Sequence, residues 1–160
     1  MYFKDQQNNT HWLDDVSFIH LLPNGSVEIT EEEANIINSP PKPLSVLKDE
    51  KNLEINASRL SANLTTFTHS GKVFACDQLS RSDIDAINGR VATRGSLPND
   101  WVGGWKAIDN TYVAIETIEQ WNEFYDSMVA QGQANFAKSQ SLKAQLAAAT
   151  TAEQVSAIQW

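Results

Sequence analysis

A chain of 160 residues is the size of one domain or of two very small ones, since domains run to about 100–200 residues, and a large multidomain enzyme is excluded. Its 41% hydrophobic and 20% charged residues are ordinary for a protein that buries a core. Twelve Lys and Arg against twenty Asp and Glu leave a net charge of −8 and a pI of about 4.7, the wrong sign for gripping a phosphate backbone, so no nucleic-acid partner is expected. No apolar run approaches the roughly 20 residues that span a bilayer, and the N-terminus MYFKDQQNNT has neither the basic nor the apolar region of a secretion signal. The expectation is a soluble protein made in a cytoplasm, without a membrane partner. The single cysteine, Cys76, forms no internal disulfide and belongs to no zinc-ligand spacing.

In chain order, Tyr2-Phe3-Lys4, His11-Trp12-Leu13 and Ser17–Leu22 are short aromatic or β-branched pieces, and Pro23-Asn24-Gly25-Ser26 supplies turn chemistry before Val27-Glu28-Ile29. They predict a small β-rich head. Thr30-Glu31-Glu32-Glu33 carries the pattern of a capping box and predicts a short helix to about Ile37. Ser39-Pro40-Pro41-Lys42-Pro43 predicts a stiff, extended linker, because proline lacks a backbone donor and fixes φ. Leu44, Leu47, Lys51, Ile55, Leu60 and Leu64 show a loose helical period over 44–63. Thr65–His69 and Lys72–Cys76 flank Ser70-Gly71 as a hairpin. Ser80-Arg81-Ser82-Asp83 introduces a helix bearing Ile84 and Ile87, ended by Gly89 or Gly95. A second hairpin pairs Gly104–Asp109 with Thr111–Glu116, its turn type left open by Asn110.

From Thr117 the apolar positions Ile118, Trp121, Tyr125, Met128, Leu142 and Leu146 keep helical spacing. They predict one long helix or a helical hairpin. The seam turns small and polar at Gly132, Asn135 and Ser139, which predicts a break near Gly132 or a tight helix–helix approach. Thr150-Thr151-Ala152-Glu153 starts a last helix bearing Val155 and Ile158 toward Trp160. The expected fold class is α+β: a β-rich head over 1–38, a proline-rich linker over 39–47, and a body over 48–160 of two β-hairpins with helices and the long C-terminal helix or helical hairpin.

Chemistry-bearing residues are sparse. His11, His20 and His69 lack metal-ligand spacing. Cys76 lies in an apolar strand with no cationic activator beside it. Gly103-Gly104 lacks the strand, helix and Lys of a phosphate loop. The acidic pairs, including Asp14-Asp15, Glu31–Glu33, Asp83 with Asp85 and Glu119 with Glu123, read as helix-start acids or solvated faces. The triplets at Asn8, Asn24, Asn56 and Asn63 matter only in a secretory compartment. No catalytic, cofactor-binding or metal-ligating residue is predicted, and the chain is expected not to be an enzyme. Five tryptophans are many for this length, and aromatic side chains anchor interfaces as well as cores. Trp121 is expected in the core, while Trp101, Trp105 and Trp160 are the candidate partner-binding residues.

Two stretches resemble phage sequences. Met1-Tyr2-Phe3-Lys4-Asp5, His11-Trp12-Leu13, the run Leu22–Ala34 and Pro40-Pro41-Lys42-Pro43 resemble the head of caudovirus tail-fibre assembly proteins. From about Lys48 to Trp160 the chain resembles a phage domain of unknown function at the C-terminus of tail-associated proteins, through Gly71-Lys72-Val73-Phe74-Ala75-Cys76-Asp77, Ser80, Arg81, Trp105–Asn110, Leu142-Lys143-Ala144 and Ala157-Ile158-Gln159-Trp160. The resemblance implies a chaperone that binds the C-terminal end of a phage tail-fibre protein, assists its folding and trimerisation in the host cytoplasm, and in some family members stays as a cap on the virion's fibre tip. A structural tail-tip or adaptor subunit is the alternative. An acidic nucleic-acid mimic is the third reading, and self-association is left open.

Overall fold

The computed structural model describes residues 1–160, and the chain divides into two units, Met1–Pro43 and Leu44–Trp160. The first holds an antiparallel sheet of β1 (Tyr2–Lys4), β2 (Thr10–Trp12) and β3 (Val27–Ile29), in the order β2-β1-β3. Its register sets Tyr2 opposite both Trp12 and Ile29, Phe3 opposite His11 and Glu28, and Lys4 opposite Thr10 and Val27. Helix α1 (Glu31–Asn38) follows and packs on β1 and β2, with Phe3 and Ala34 buried. The capping box is present: the Thr30 hydroxyl accepts from the Glu33 N–H at 3.1 Å, and Glu33 Oε2 accepts from the Thr30 N–H at 3.0 Å.

Ser17–Leu22 is not a strand. Residues Val16–Leu21 form a 3₁₀ helix, capped by the Asp15 carboxylate, which accepts from the Ser17 N–H at 2.7 Å. Local bonds such as Leu22 N–H to the Ile19 carbonyl, 3.2 Å, satisfy this backbone without a sheet neighbour, and β-propensity yields to that local pairing. Residues 40–43 carry neither helix nor strand. The expected linker ends earlier than position 47, because α2 (Leu44–Asn63) begins directly after Pro43 and takes in Leu44–Leu47 as its first turn.

The second unit continues with β4 (Thr66–His69) and β5 (Lys72–Ala75), α3 (Gln78–Arg94), β6 (Gly104–Lys106) and β7 (Tyr112–Ala114), α4 (Ile118–Ala148) and α5 (Ala152–Ser156). With the sheet of the first unit this makes the α+β architecture predicted from the sequence. Ser70 and Gly71 both take positive φ, +48° and +73°, the backbone of a tight hairpin turn. In the second hairpin Asn110 takes φ +67°, and Asp109 Oδ1 accepts from the Thr111 N–H at 2.9 Å and its hydroxyl at 2.7 Å. Gly104 opens β6 where a Cβ would run into the Val113 carbonyl oxygen of β7. The hairpins are tied by Ile108 N–H to the Val73 carbonyl, 3.0 Å.

Helix α3 starts two residues before Ser80, because Asp77 is the cap: its carboxylate accepts from the N–H groups of Leu79 and Ser80 and from the Ser80 hydroxyl at 2.7 Å. Gly95, at φ +63°, ends it, and Gly89 lies inside. Helix α5 ends at Ser156, short of Trp160.

The expected break near Gly132 is absent, and α4 runs unbroken for 31 residues. A Cβ at Gly132 would meet nothing within 4 Å, so no close helix approach occurs there either. The polar seam is satisfied in place. The buried Asn135 donates from Nδ2 to Asn63 Oδ1 of α2 at 2.9 Å, and the fully buried Ser139 hydroxyl donates to the Phe136 carbonyl at 2.7 Å. On one side of this seam Trp121, Phe124 and Met128 join Phe67, Phe74, Ile84 and Ile115 in a core. On the other, Leu142 and Leu146 join Ile55, Val155 and Ile158 in a second.

Two substitutions test this helix. Gly132→Ala is expected to stabilise the protein by about 1 kcal/mol, since a mid-helix glycine with open space costs helix propensity and nothing else. Trp121→Ala, which empties a fully buried site, is expected to cost about 3–5 kcal/mol. Urea unfolding of both variants is the check, and a destabilising Gly132→Ala would mean that α4 does not pass straight through position 132.

Candidate functional site

The three tryptophans predicted to bind a partner are half-buried and are not brought together. Trp101 and Trp105 stack at 6.1 Å and pack edge-on against Trp121 at 5.7 and 5.8 Å. The Trp101 indole N–H donates to the Ile115 carbonyl at 2.6 Å. Both rings thus close the first core. Trp160 packs on the second core, with Lys138 Nζ 4.8 Å from its ring centre. Each ring spends much of its apolar surface inside the fold, where it has least to offer a partner.

Both units expose eight large apolar side chains, but the first unit does so within only 43 residues, against 117 in the second. Trp12 is 58% exposed, and Val16, Phe18, Ile19 and Leu21 of the 3₁₀ helix are 47–68% exposed, as are Val27 and Ile36 at 57% and 52%. The register puts Trp12, Tyr2 and Ile29 in one cross-strand row and Thr10, Lys4 and Val27 in the next. These rows share a sheet face, because side chains alternate along a strand. Outside α1, Glu31, Glu32, Asn35, Ile36, Ser39 and Pro41 border an open depression of about 690 Å³. Two Lys and seven Asp or Glu give residues 1–43 a charge of −5, against ten Lys or Arg and thirteen Asp or Glu, −3, for residues 44–160. Divided at the structural boundary, the acid excess is concentrated on the smaller unit, beside its exposed apolar groups. A unit this small buries a modest share of its surface. Fourteen large apolar residues over positions 1–43 are thus the signal that points to this surface; reading for aromatic surplus passes it by.

The reactive side chains have structural partners. Cys76 is buried, which pushes its thiol pKa up, although Arg81 Nη1 lies 3.9 Å from its sulfur. His69 Nδ1 lies 2.9 Å from Ser127 Oγ, but the Ser127 hydroxyl donates to the Glu123 carbonyl of its own helix at 2.9 Å. His20 Nδ1 pairs with the Ser17 carbonyl at 2.8 Å. No group of three or more His, Cys, Asp or Glu side chains is placed to hold a metal ion. Asp77 and Asp109 are held below the usual carboxylate range by the hydroxyls and backbone N–H groups they cap.

Asp5, a strongly perturbed carboxylate, organises the β1–β2 connection. Its Oδ1 accepts from the N–H groups of Gln7 and Asn9 at 2.9 and 2.8 Å, and its Oδ2 from Asn9 Nδ2 at 2.9 Å, with His11 Nε2 at 3.1 Å. The Asn9 side-chain bond first, then the backbone donors and His11, lower its pKa from 3.8 to about 2 against the opposing effect of burial. A depressed folded-state pKa contributes stability above the unfolded value and loses it as pH falls through the folded one. The first unit is therefore expected to hold steady above about pH 4 and to lose stability between about pH 4 and 2. Asp5→Asn is expected to flatten that dependence. Acid titration followed by NMR of the Asn8 and Asn9 amides checks both, and an unaltered acid transition in the variant would remove Asp5 as its cause.

No helix is long and apolar enough to cross a membrane. No curated protein and no solved structure gives a significant match to the chain. The profile of the family described as Domain of unknown function (DUF4376) matches residues 46–159, so its limits fall within two residues of the second unit, Leu44–Trp160. That match covers more than two thirds of the sequence, and the chain belongs to the DUF4376 family.

Proposed function

We propose that this chain is a non-catalytic binding protein whose first unit covers the apolar, strand-edged end of a partner polypeptide, and that the partner is the C-terminal end of a phage tail fibre. The observation that carries the reading is the run of exposed large apolar side chains from Trp12 to Ile36 in a unit of charge −5. Clustered exposed apolar surface marks an interaction site. The surrounding carboxylates favour a partner with basic flanks, steer its approach and keep the free protein soluble. Sheet ends and unassembled trimer interfaces offer the complementary surface, and covering them until assembly suppresses edge-to-edge association. This is assembly-chaperone work carried out in the host cytoplasm, with retention at the fibre tip where the complex does not dissociate.

The test is co-expression with the tail-fibre protein of the same phage, comparing the wild type with Phe18→Ser/Leu21→Ser. Both side chains are exposed, so circular dichroism of the variant should match the wild type. Hot-spot truncations cost about 2 kcal/mol or more each, or about 30-fold in affinity, and the yield of soluble fibre trimer should fall accordingly. Full yield with the folded variant would remove this surface from the function. Full yield with no assembly protein present would overturn the chaperone reading.

A further inference from the structure

We propose that the groove between α2, α3 and α4 in the second unit is a binding site for a carboxylate carried beside an apolar group, the chemistry of a polypeptide C-terminus. The groove has a volume of about 400 Å³ and is lined by Arg59 and Asn63 of α2, Arg81 of α3, and Val129, Gly132, Gln133 and Phe136 of α4. In a protein of net charge −8, its charged lining residues are two arginines, and no carboxylate lines it.

Neither arginine is held by a short ion pair, although Arg81 Nη1 also reaches the buried Cys76 sulfur at 3.9 Å. The Arg59 guanidinium lies 4.7 Å from the Phe136 ring centre and has no carboxylate partner. Stacking on that ring holds the planar fork in place while leaving its N–H edge available. The ion pair of Arg81 is a long one, 3.9 Å from Nε to the half-exposed Asp85, and such a pair competes weakly with a better acceptor. The Asn63 carbonyl oxygen is taken by Asn135 at 2.9 Å, which leaves its amide N–H₂ as the group to offer. The polar wall is thus a set of donors without a matching acceptor.

Gly132 supplies the room. A glycine inside a helix costs about 1 kcal/mol against alanine, and nothing packs within 4 Å of the place its Cβ would take. The missing side chain opens the groove floor between Val129 and Phe136, which form the apolar part of the wall. An adjoining depression of about 250 Å³ shares Arg59 and Asn63 and adds Asn56 and the exposed Leu60, giving space to the residue preceding the carboxylate. Guanidinium groups bind carboxylates through paired, charge-assisted hydrogen bonds, and the apolar wall selects the side chain beside them. This site is independent of the surface on the first unit.

The experiment uses the full chain and three probes: N-acetyl-Ala-Leu with a free carboxylate, the same dipeptide as its C-terminal amide, and inorganic phosphate. Binding is read from the amide resonances of Gly132, Gln133 and Phe136. The free acid is expected to shift them saturably in the millimolar range. Phosphate is expected to bind more weakly, and the amide not at all. Arg59→Gln and Arg81→Gln should each weaken the acid by about tenfold or more, the scale of a charge-assisted hydrogen bond, with the melting temperature unchanged. Gly132→Leu should abolish binding in a protein that still folds. Equal binding of acid and amide, unaltered affinity in either arginine variant, retention of binding in Gly132→Leu, or no saturable shift would each overturn the proposal. Phosphate binding as tight as the acid would replace it with a simple oxyanion site.

Discussion

The second unit depends on α4 passing unbroken through the place where its buried face becomes polar. The amide of Asn135 meets the amide of Asn63 at 2.9 Å, and Ser139 returns its proton to its own helix. Left without partners, such buried groups would each cost about 1–3 kcal/mol. Satisfied, they let one helix of 31 residues, about 46 Å long at its regular rise, carry Trp121, Phe124 and Met128 into one core and Leu142 and Leu146 into the other. The same Asn63 that secures the seam lines the groove beside it, so a single residue of α2 joins the helix packing to the donor-rich wall.

Features determined within a few residues were legible in the sequence. The Thr30 box, the Ser70-Gly71 turn and, of the two glycines the sequence offers, the Gly95 stop are each a short-range balance of donors and acceptors, and they appear where the residues predict. The long-range answers were not legible. The partner of Asn135 lies 72 positions away, and without it a glycine followed by buried amide and hydroxyl groups reads as a break. Residues 16–21 have strand composition, yet Asp15 caps them into a 3₁₀ helix. Asp77 displaced the expected start of α3 because its carboxylate reaches two N–H groups and a hydroxyl at once.

The packing of the candidate tryptophans was hidden for a related reason. A tryptophan beside glycines or at a chain end has sequence neighbours that leave it free to be exposed, but its burial is decided by other elements. Trp101 and Trp105 close over Trp121, and Trp160 over the second core. The exposed surface came from a simpler count, more large apolar side chains than 43 residues with one short helix and three-residue strands can enclose. The two units therefore differ in how densely they expose apolar groups. The second builds two cores and exposes eight large apolar side chains over 117 residues, and the first exposes eight among the carboxylates of only 43.

That contrast is the central claim, and hydrogen exchange on the full chain, alone and with the C-terminal segment of the tail fibre, tests it most directly. Slowed exchange is expected over residues 12–36, with the two cores of the second unit unchanged. Formation of a complex with no added protection anywhere in residues 12–36 would contradict the assignment of binding to the first unit.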